Sequence, residues 1–193
     1  MAKTEVLIIG AGPSGMVSAL CLAKLGVSSI IVERNAGVSE HPKAHELNAR
    51  SIEILEGLGI SSEDLAEEAA PFNDGSRILF CKTINEEYGR IDLFDDEARR
   101  AKYEQHLKSI TPYLNLSQTE LEKILLRKVH ENPLIDIRFQ HQWESLTQDD
   151  SSVNNQILDR QTGNTFAIKS QYVLAADGAG SRCRKFVNIP FLG

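Results

Sequence analysis

Apolar and polar positions along this chain switch between two periods, and the switches outline alternating strands and helices. Val6-Leu7-Ile8-Ile9 is a short unbroken apolar run, the mark of a strand covered on both faces. Residues 16–25 repeat their apolar side chains at helical spacing and stop at Gly26, and residues 28–32 form the next strand. Residues 45–58 place Leu47, Ile52, Ile54, Leu55 and Leu58 around a helix closed by Gly59, after which Ser61 caps a short acidic helix over 63–69. Residues 71–75 punctuate. Ile78-Leu79-Phe80 and Ile91-Asp92-Leu93-Phe94 predict a hairpin with a turn around 85–89, and the charge-rich residues 95–108 read as a solvated helix or loop.

From Ser117 the pattern is that of a capping box, in which Ser117 and Glu120 satisfy each other's free backbone donors, and a helix runs to about Val129. After Asn132-Pro133, residues 135–139, 144–148, 152–159 and 166–169 read as short strands of a meander. Tyr172-Val173-Leu174-Ala175-Ala176 then predicts a buried strand ending in Asp177-Gly178, the place where α/β sheets put ligand contacts. There is no internal repeat and no low-complexity tract.

The chemistry concentrates at the first strand–helix junction, Gly10-Ala11-Gly12-Pro13-Ser14-Gly15. Gly10 makes the tight turn, Gly12 lets backbone approach a pyrophosphate, and Gly15 lets the helix lie close to the sheet. The helix N-terminus then offers unpaired N–H groups and a positive dipole end to the anion without a basic side chain. Glu33 ends the second strand about twenty residues later, where a carboxylate accepts the hydroxyl protons of an adenosine ribose. Strand, glycines, helix and acid together predict a dinucleotide-binding βαβ unit.

Composition narrows the partners. At 193 residues, 41% hydrophobic and 25% charged, the chain suffices for one globular core. A net charge of -6 with scattered basic residues argues against a nucleic-acid backbone as partner. The basic start at Lys3 followed by apolar residues imitates a secretory leader, but Glu5 and the Gly-Ala-Gly-Pro interruption argue against it, and no segment has the length of a membrane span. Cys21, Cys81 and Cys183 are odd in number and widely spaced, which predicts a reducing, cytoplasmic setting. His41 and His45 are four apart, but Pro42 disfavours a helix between them and no third ligand is near, so no metal is expected.

Gly10 to Gly15 with Glu33-Arg34, the block His41-Pro-Lys-Ala-His-Glu-Leu-Asn-Ala-Arg-Ser-Ile-Glu-Ile-Leu55, Gln118 before a helix, and Ala176-Asp177-Gly178 leading to Ser181 and Arg184 occur in one order. That combination resembles the flavoprotein aromatic hydroxylases, the p-hydroxybenzoate hydroxylase and phenol hydroxylase class, and touches all but the middle third of the chain. The resemblance implies an α/β fold: a Rossmann-like FAD-binding domain with its GxGxxG βαβ unit, a parallel sheet plus a β-meander, and the start of a substrate-domain β-sheet. Residues 1–70 would be the βαβ unit and following helices, 71–116 a substrate-side excursion, and 117–193 the second part of the FAD-binding domain.

Position by position, the resemblance implies that Gly10, Gly12, Ser14 and Gly15 hold the FAD pyrophosphate and Glu33 the adenosine ribose. Arg34 would lie at the adenine end, although a surface arginine at a strand end reads the same way. Lys43, Ala44 and His45 match a loop over the pyrophosphate and flavin, with a plain polar loop as the alternative. Gln118 matches a glutamine contacting FAD, or is simply a helix-start polar residue. Asp177 and Gly178, with Ser181 and Arg184, match a motif linked to both FAD and pyridine-nucleotide use, while Arg184 also reads as a surface cap. The implied reaction is reduction of FAD by NADPH or NADH, followed by attack of a flavin hydroperoxide on a small phenolic substrate. Members of the class continue for a further couple of hundred residues that build the substrate pocket, so the chain is expected to be an N-terminal portion with its C-terminal part missing. No residue stands out as acid, base or nucleophile. Substrate identity, NADH against NADPH, self-association, and an FAD reductase, epoxidase or noncatalytic FAD module as alternatives all stay open.

Overall fold

The computed structural model describes residues 2–41, 43–71, 77–92 and 113–191. The expected solvated segment 95–108 and most of the punctuation at 71–75 lie outside them. In chain order the elements are β1 (Ala2–Ile9), α1 (Pro13–Lys24), β2 (Ser29–Val32), β3 (Leu47–Asn48), α2 (Ala49–Gly57), α3 (Ser62–Glu67), β4 (Arg77–Thr83) and β5 (Glu86–Asp92). They continue with β6 (Tyr113–Leu114), α4 (Gln118–His130), β7 (Ile135–Arg138), β8 (His141–Gln148), β9 (Val153–Asp159), β10 (Thr165–Ala175) and α5 (Arg182–Phe186). The chain divides into two compact units, residues 1–41 with 121–193, and residues 42–120.

The first unit is built on a six-stranded sheet in the order β7-β2-β1-β10-β9-β8. β1 is central and parallel to β2 on one side and to β10 on the other, so the chain reverses its direction of travel across the sheet at the C-terminal end of β1. Leu7, Ile8 and Ile31 are fully buried, each contributing about 1.5–3 kcal/mol relative to exposure. On one face Leu7, Ile9, Ile30 and Val32 pack with Trp143, Ile157, Ile168 and Cys183. Trp143 meets Phe186 of α5 edge-on at 5.3 Å. Its Nε1–H donates to Asn155 Oδ1 at 3.2 Å, while Asn155 Nδ2 donates to Ile168 O and Ser170 Oγ at 3.2 and 3.1 Å. This buried amide ties β8, β9 and β10 together with its hydrogen-bonding capacity met.

Three sequence expectations change here. Residues 135–139 were expected in the meander, yet β7 pairs parallel with β2, because alternating Ile135 and Ile137 suit either ladder and α4 delivers the strand to the parallel edge. The two strands expected at 166–169 and 172–176 are one, β10, which pairs antiparallel with β9 up to Ser170 and parallel with β1 from Ile168 to Ala175. Its last turns were expected to be buried, but β9 departs after Ser170 and leaves Tyr172 69% and Leu174 38% exposed.

In the second unit, the helix expected from 45 begins at Ala49, because Asn48 Oδ1 accepts the Ser51 N–H at 2.9 Å and Leu47 is drawn into pairing with Leu114. The hairpin forms as β4 and β5 with a tighter turn at Ile84-Asn85, which leaves Gly89 inside β5 opposite Phe80, while the expected strand end at Leu93-Phe94 lies outside the described residues. Both of its strands are exposed along nearly their whole length.

Candidate functional site

The strand ends at the switch point gather the glycines. Gly10 has φ +104°, and a Cβ there would lie 2.5 Å from Ala176 O, so both backbone and space require glycine. Its N–H donates to Val32 O at 2.9 Å, while Ala176 N–H donates to Ile9 O at 2.8 Å, locking β2, β1 and β10 around the turn. At Gly15 a Cβ would collide with the Gly10 carbonyl, which is how closely α1 crosses the turn. Gly12 differs: a Cβ would meet nothing within 4 Å. It is the N-cap of α1, no side chain caps the helix, and Pro13 occupies the first turn. Met16 N–H donates to Gly12 O at 3.0 Å, so the Ser14 and Gly15 N–H groups before it lack an intrahelical acceptor at a positive dipole end, next to the space left open beside Gly12. That is an anion seat made of backbone.

Glu33 lies beside this seat and does more than its position implied. Its Oε2 accepts the Ala11 N–H at 3.0 Å and its Oε1 the Asn35 N–H at 2.9 Å. The carboxylate straps the glycine loop to the end of β2, and each oxygen keeps lone-pair capacity for a further donor. Arg34 is exposed, and its carbonyl accepts Arg160 Nη1–H at 2.7 Å.

At the end of β10, Gly178 has φ +77° and turns the chain toward α5. Asp177 faces inward from this turn: Oδ1 accepts the Ser181 hydroxyl at 2.6 Å, and Oδ2 accepts the N–H groups of Arg182 and Cys183 at 2.7 and 3.2 Å. Burial would raise its carboxyl, but the Ser181 hydroxyl and the Cys183 and Arg182 N–H groups outweigh it and hold the group below its ordinary value. Burial and the same Asp177 charge push the Cys183 thiol up to about 12. Ser181 Oγ in turn accepts the Arg184 N–H at 2.9 Å, and the Arg184 guanidinium sits 4.5 Å from the Phe191 ring centre. Asp177 and Ser181 thus fix the α5 N-terminus, leaving the Gly178 backbone as the exposed part of the motif.

The second unit carries the other candidates. Gln118 N–H donates to Ala44 O at 2.7 Å, and His45 Nδ1 lies 3.0 Å from Asn115 Oδ1. Lys43, Ala44 and His45 are exposed. The expected residues therefore fall into two sets: Gly10, Gly12, Ser14, Gly15, Glu33, Arg34, Asp177 and Gly178 on the first unit, and Lys43, Ala44, His45 and Gln118 on the second. Sequence reasoning missed Asn115, which meets His45, and Arg160, which meets the Arg34 carbonyl. Among the described residues no three His, Cys, Asp or Glu side chains are grouped to hold a metal, and no helix is long and apolar enough to cross a membrane.

Comparison with known proteins gives the family and its relatives. Residues 3–193 match the family described as FAD binding domain. The chain is 36% identical to phenol 2-monooxygenase of Pseudomonas sp. (strain EST1001), over 93% of this chain and 29% of that protein. It is 33% identical to 2,4-dichlorophenol 6-monooxygenase of Cupriavidus pinatubonensis, over 99% of this chain and 32% of that protein. Among solved structures, the flavin-dependent monooxygenase PieE in complex with FAD and substrate superposes with a TM-score of 0.88 at 35% identity, covering 99% of this chain and 33% of PieE. The chain spans about a third of the length of these relatives. With an open backbone anion seat at the switch point, a carboxylate strapped beside it and a match along nearly the whole sequence, the chain belongs to the FAD binding domain family.

Proposed function

We propose that this chain is the FAD-binding portion of an NAD(P)H-dependent flavin monooxygenase that hydroxylates a phenolic or other aromatic substrate. The observation that carries the reading is the uncapped N-terminus of α1, open at Gly12, with the half-buried Glu33 carboxylate beside it. A dinucleotide needs both, an anion seat for its pyrophosphate and an acceptor for its ribose hydroxyls. The relatives, a phenol 2-monooxygenase and a 2,4-dichlorophenol 6-monooxygenase, supply the reaction class.

The residues present fit FAD. The Ser14 and Gly15 N–H groups would hold the pyrophosphate, with Gly10 and Gly15 keeping the turn and helix close enough to do so. Glu33 would take the adenosine ribose while still orienting Ala11. Arg34 would flank the adenine. Gly178 would bring backbone to the far side of the pyrophosphate, with Asp177 holding that turn in shape. Lys43, Ala44, His45 and Gln118 would serve the flavin side, where the bond between Gln118 and Ala44 fixes their loop. Bound FAD supplies the redox chemistry, with NADPH or NADH as reductant and oxygen as co-substrate. The chain's own share is binding and orientation.

The test uses full-length protein. Co-purified or reconstituted FAD, NAD(P)H oxidation stimulated by a phenol, and a catechol formed in proportion support the reading. Stoichiometric FAD with no phenol-dependent turnover across simple and chlorinated phenols would limit the function to cofactor binding.

A further inference from the structure

Glu122 is a charged residue where the α4 pattern calls for an apolar one. The helix buries Leu121, Ile124, Leu125 and Val129 at helical spacing, and Glu122 lies with them at 2% exposure. Carboxylates are almost never that buried unless paired, because removal from water is costly. Its Oε2 accepts the Ser39 N–H at 2.8 Å, a bond that spans 83 residues of sequence.

Ser39 lies in the segment that follows Glu33. The start of that segment is fastened several times: Glu33 N–H donates to Arg138 O, His141 N–H to Glu33 O, Gln140 N–H to Asn35 O, and Arg160 to Arg34 O. Residues 36–41 have no regular structure. Ser39 Oγ reaches only His41 O, two residues on, at 3.4 Å. Among the described residues, the bond to Glu122 is what fastens residues 36–41 to another element. A buried charge is seldom retained for stability, since an apolar side chain of similar volume commonly serves a core as well or better. It does specify geometry, because an acceptor in an apolar stripe fixes where its donor N–H must lie.

We infer that Glu122 is a positioning residue for the adenosine end of the nucleotide site: through Ser39 it holds the segment leading away from Glu33 in its binding path before ligand arrives. This rests on the FAD reading above. With the anchor present, ordering of the segment is settled on folding. Without it, that ordering is charged to binding.

The experiment measures Kd for FAD and for ADP, together with the melting temperature of the ligand-free protein, in full-length parent, Glu122→Ala, Glu122→Leu and Glu122→Gln. Glu122→Leu refills the volume without an acceptor, so it keeps a fold that Glu122→Ala could lose. Glu122→Gln restores an acceptor oxygen. Both ligands should bind Glu122→Leu about tenfold more weakly, the equivalent of ordering roughly one residue's backbone at binding, with an unchanged or higher melting temperature. Glu122→Gln should recover most of the affinity. A purely structural role would instead make affinity follow melting temperature through the series. Glu122→Leu binding FAD and ADP as tightly as the parent overturns the inference alone, whereas a parent that takes up no FAD overturns the cofactor reading and this inference with it.

Discussion

Replacing Glu33 by alanine separates what its carboxylate does for the protein from what it does for the nucleotide. In the structure both oxygens already accept a backbone N–H, from Ala11 at 3.0 Å and Asn35 at 2.9 Å. Two ribose hydroxyls would add two charge-assisted bonds, each worth about 1.5 kcal/mol at the low end, or roughly a hundredfold in Kd together. Glu33 is only half-buried, so water replaces part of what is lost, and about tenfold is the floor. Glu33→Gln keeps a carbonyl oxygen for one strap and one hydroxyl but loses the charge, and should fall between parent and alanine. The assay is flavin fluorescence quenching at fixed ionic strength, with ADP competition to place the loss in the adenosine half. Glu33→Ala binding FAD within twofold of the parent would refute the ribose assignment, whatever it did to stability.

Gly12→Ala should fold with an unchanged melting temperature, since its Cβ meets nothing, yet lose FAD affinity by about tenfold or more by crowding the anion seat; Gly15→Ala, driven against the Gly10 carbonyl, should instead lower the melting temperature. Because hydrogen bonds hold the Asp177 carboxyl below its ordinary value of 3.8, its contribution to stability is complete above that value and is lost as pH falls through the lower folded one. Acid unfolding followed by circular dichroism should therefore show a shallower loss below pH 4 in Asp177→Asn, and an identical acid limb would contradict the cap. Amide exchange should alternate along the end of β10: Tyr172, Leu174 and Ala176 slow, because they share the face that bonds β1, and Gln171, Val173 and Ala175 fast, because β9 has departed on their side. Uniform protection over 171–176 would mean another strand covers that edge.

The parts legible in sequence are those where local chemistry dictates the structure. Gly10, Gly12 and Gly15 between an apolar strand and a helix admit few other arrangements, and the structure gives Gly10 and Gly15 separate physical reasons while leaving the space beside Gly12 open. Strand partners were less legible, because Ile135 and Ile137 alternate alike in a parallel or an antiparallel ladder, and the residues of β10 carry no mark of where β9 departs. Helix starts were blurred where a polar residue could be inside or outside: Asn48 reads as helix interior until its side chain is seen to accept the Ser51 N–H. Asp177 was legible as important, but its inward turn onto α5 was not, since a carboxylate beside glycine suits a cap and a ligand contact equally. Glu122 was invisible because a glutamate next to leucine on an amphipathic helix ordinarily faces water, and only long-range folding brings Ser39 to it.

The proposed seat for the ADP half of FAD is the first βαβ unit. Its most direct test is isothermal titration of the full-length apoprotein with FAD, ADP and FMN, each alone and in competition. One FAD per chain is expected, displaced by ADP and little affected by FMN, because the proposed seat at Gly12 and acceptor at Glu33 would recognise pyrophosphate and adenosine ribose. FMN displacing FAD as effectively as ADP does, or FAD failing to bind, would contradict it.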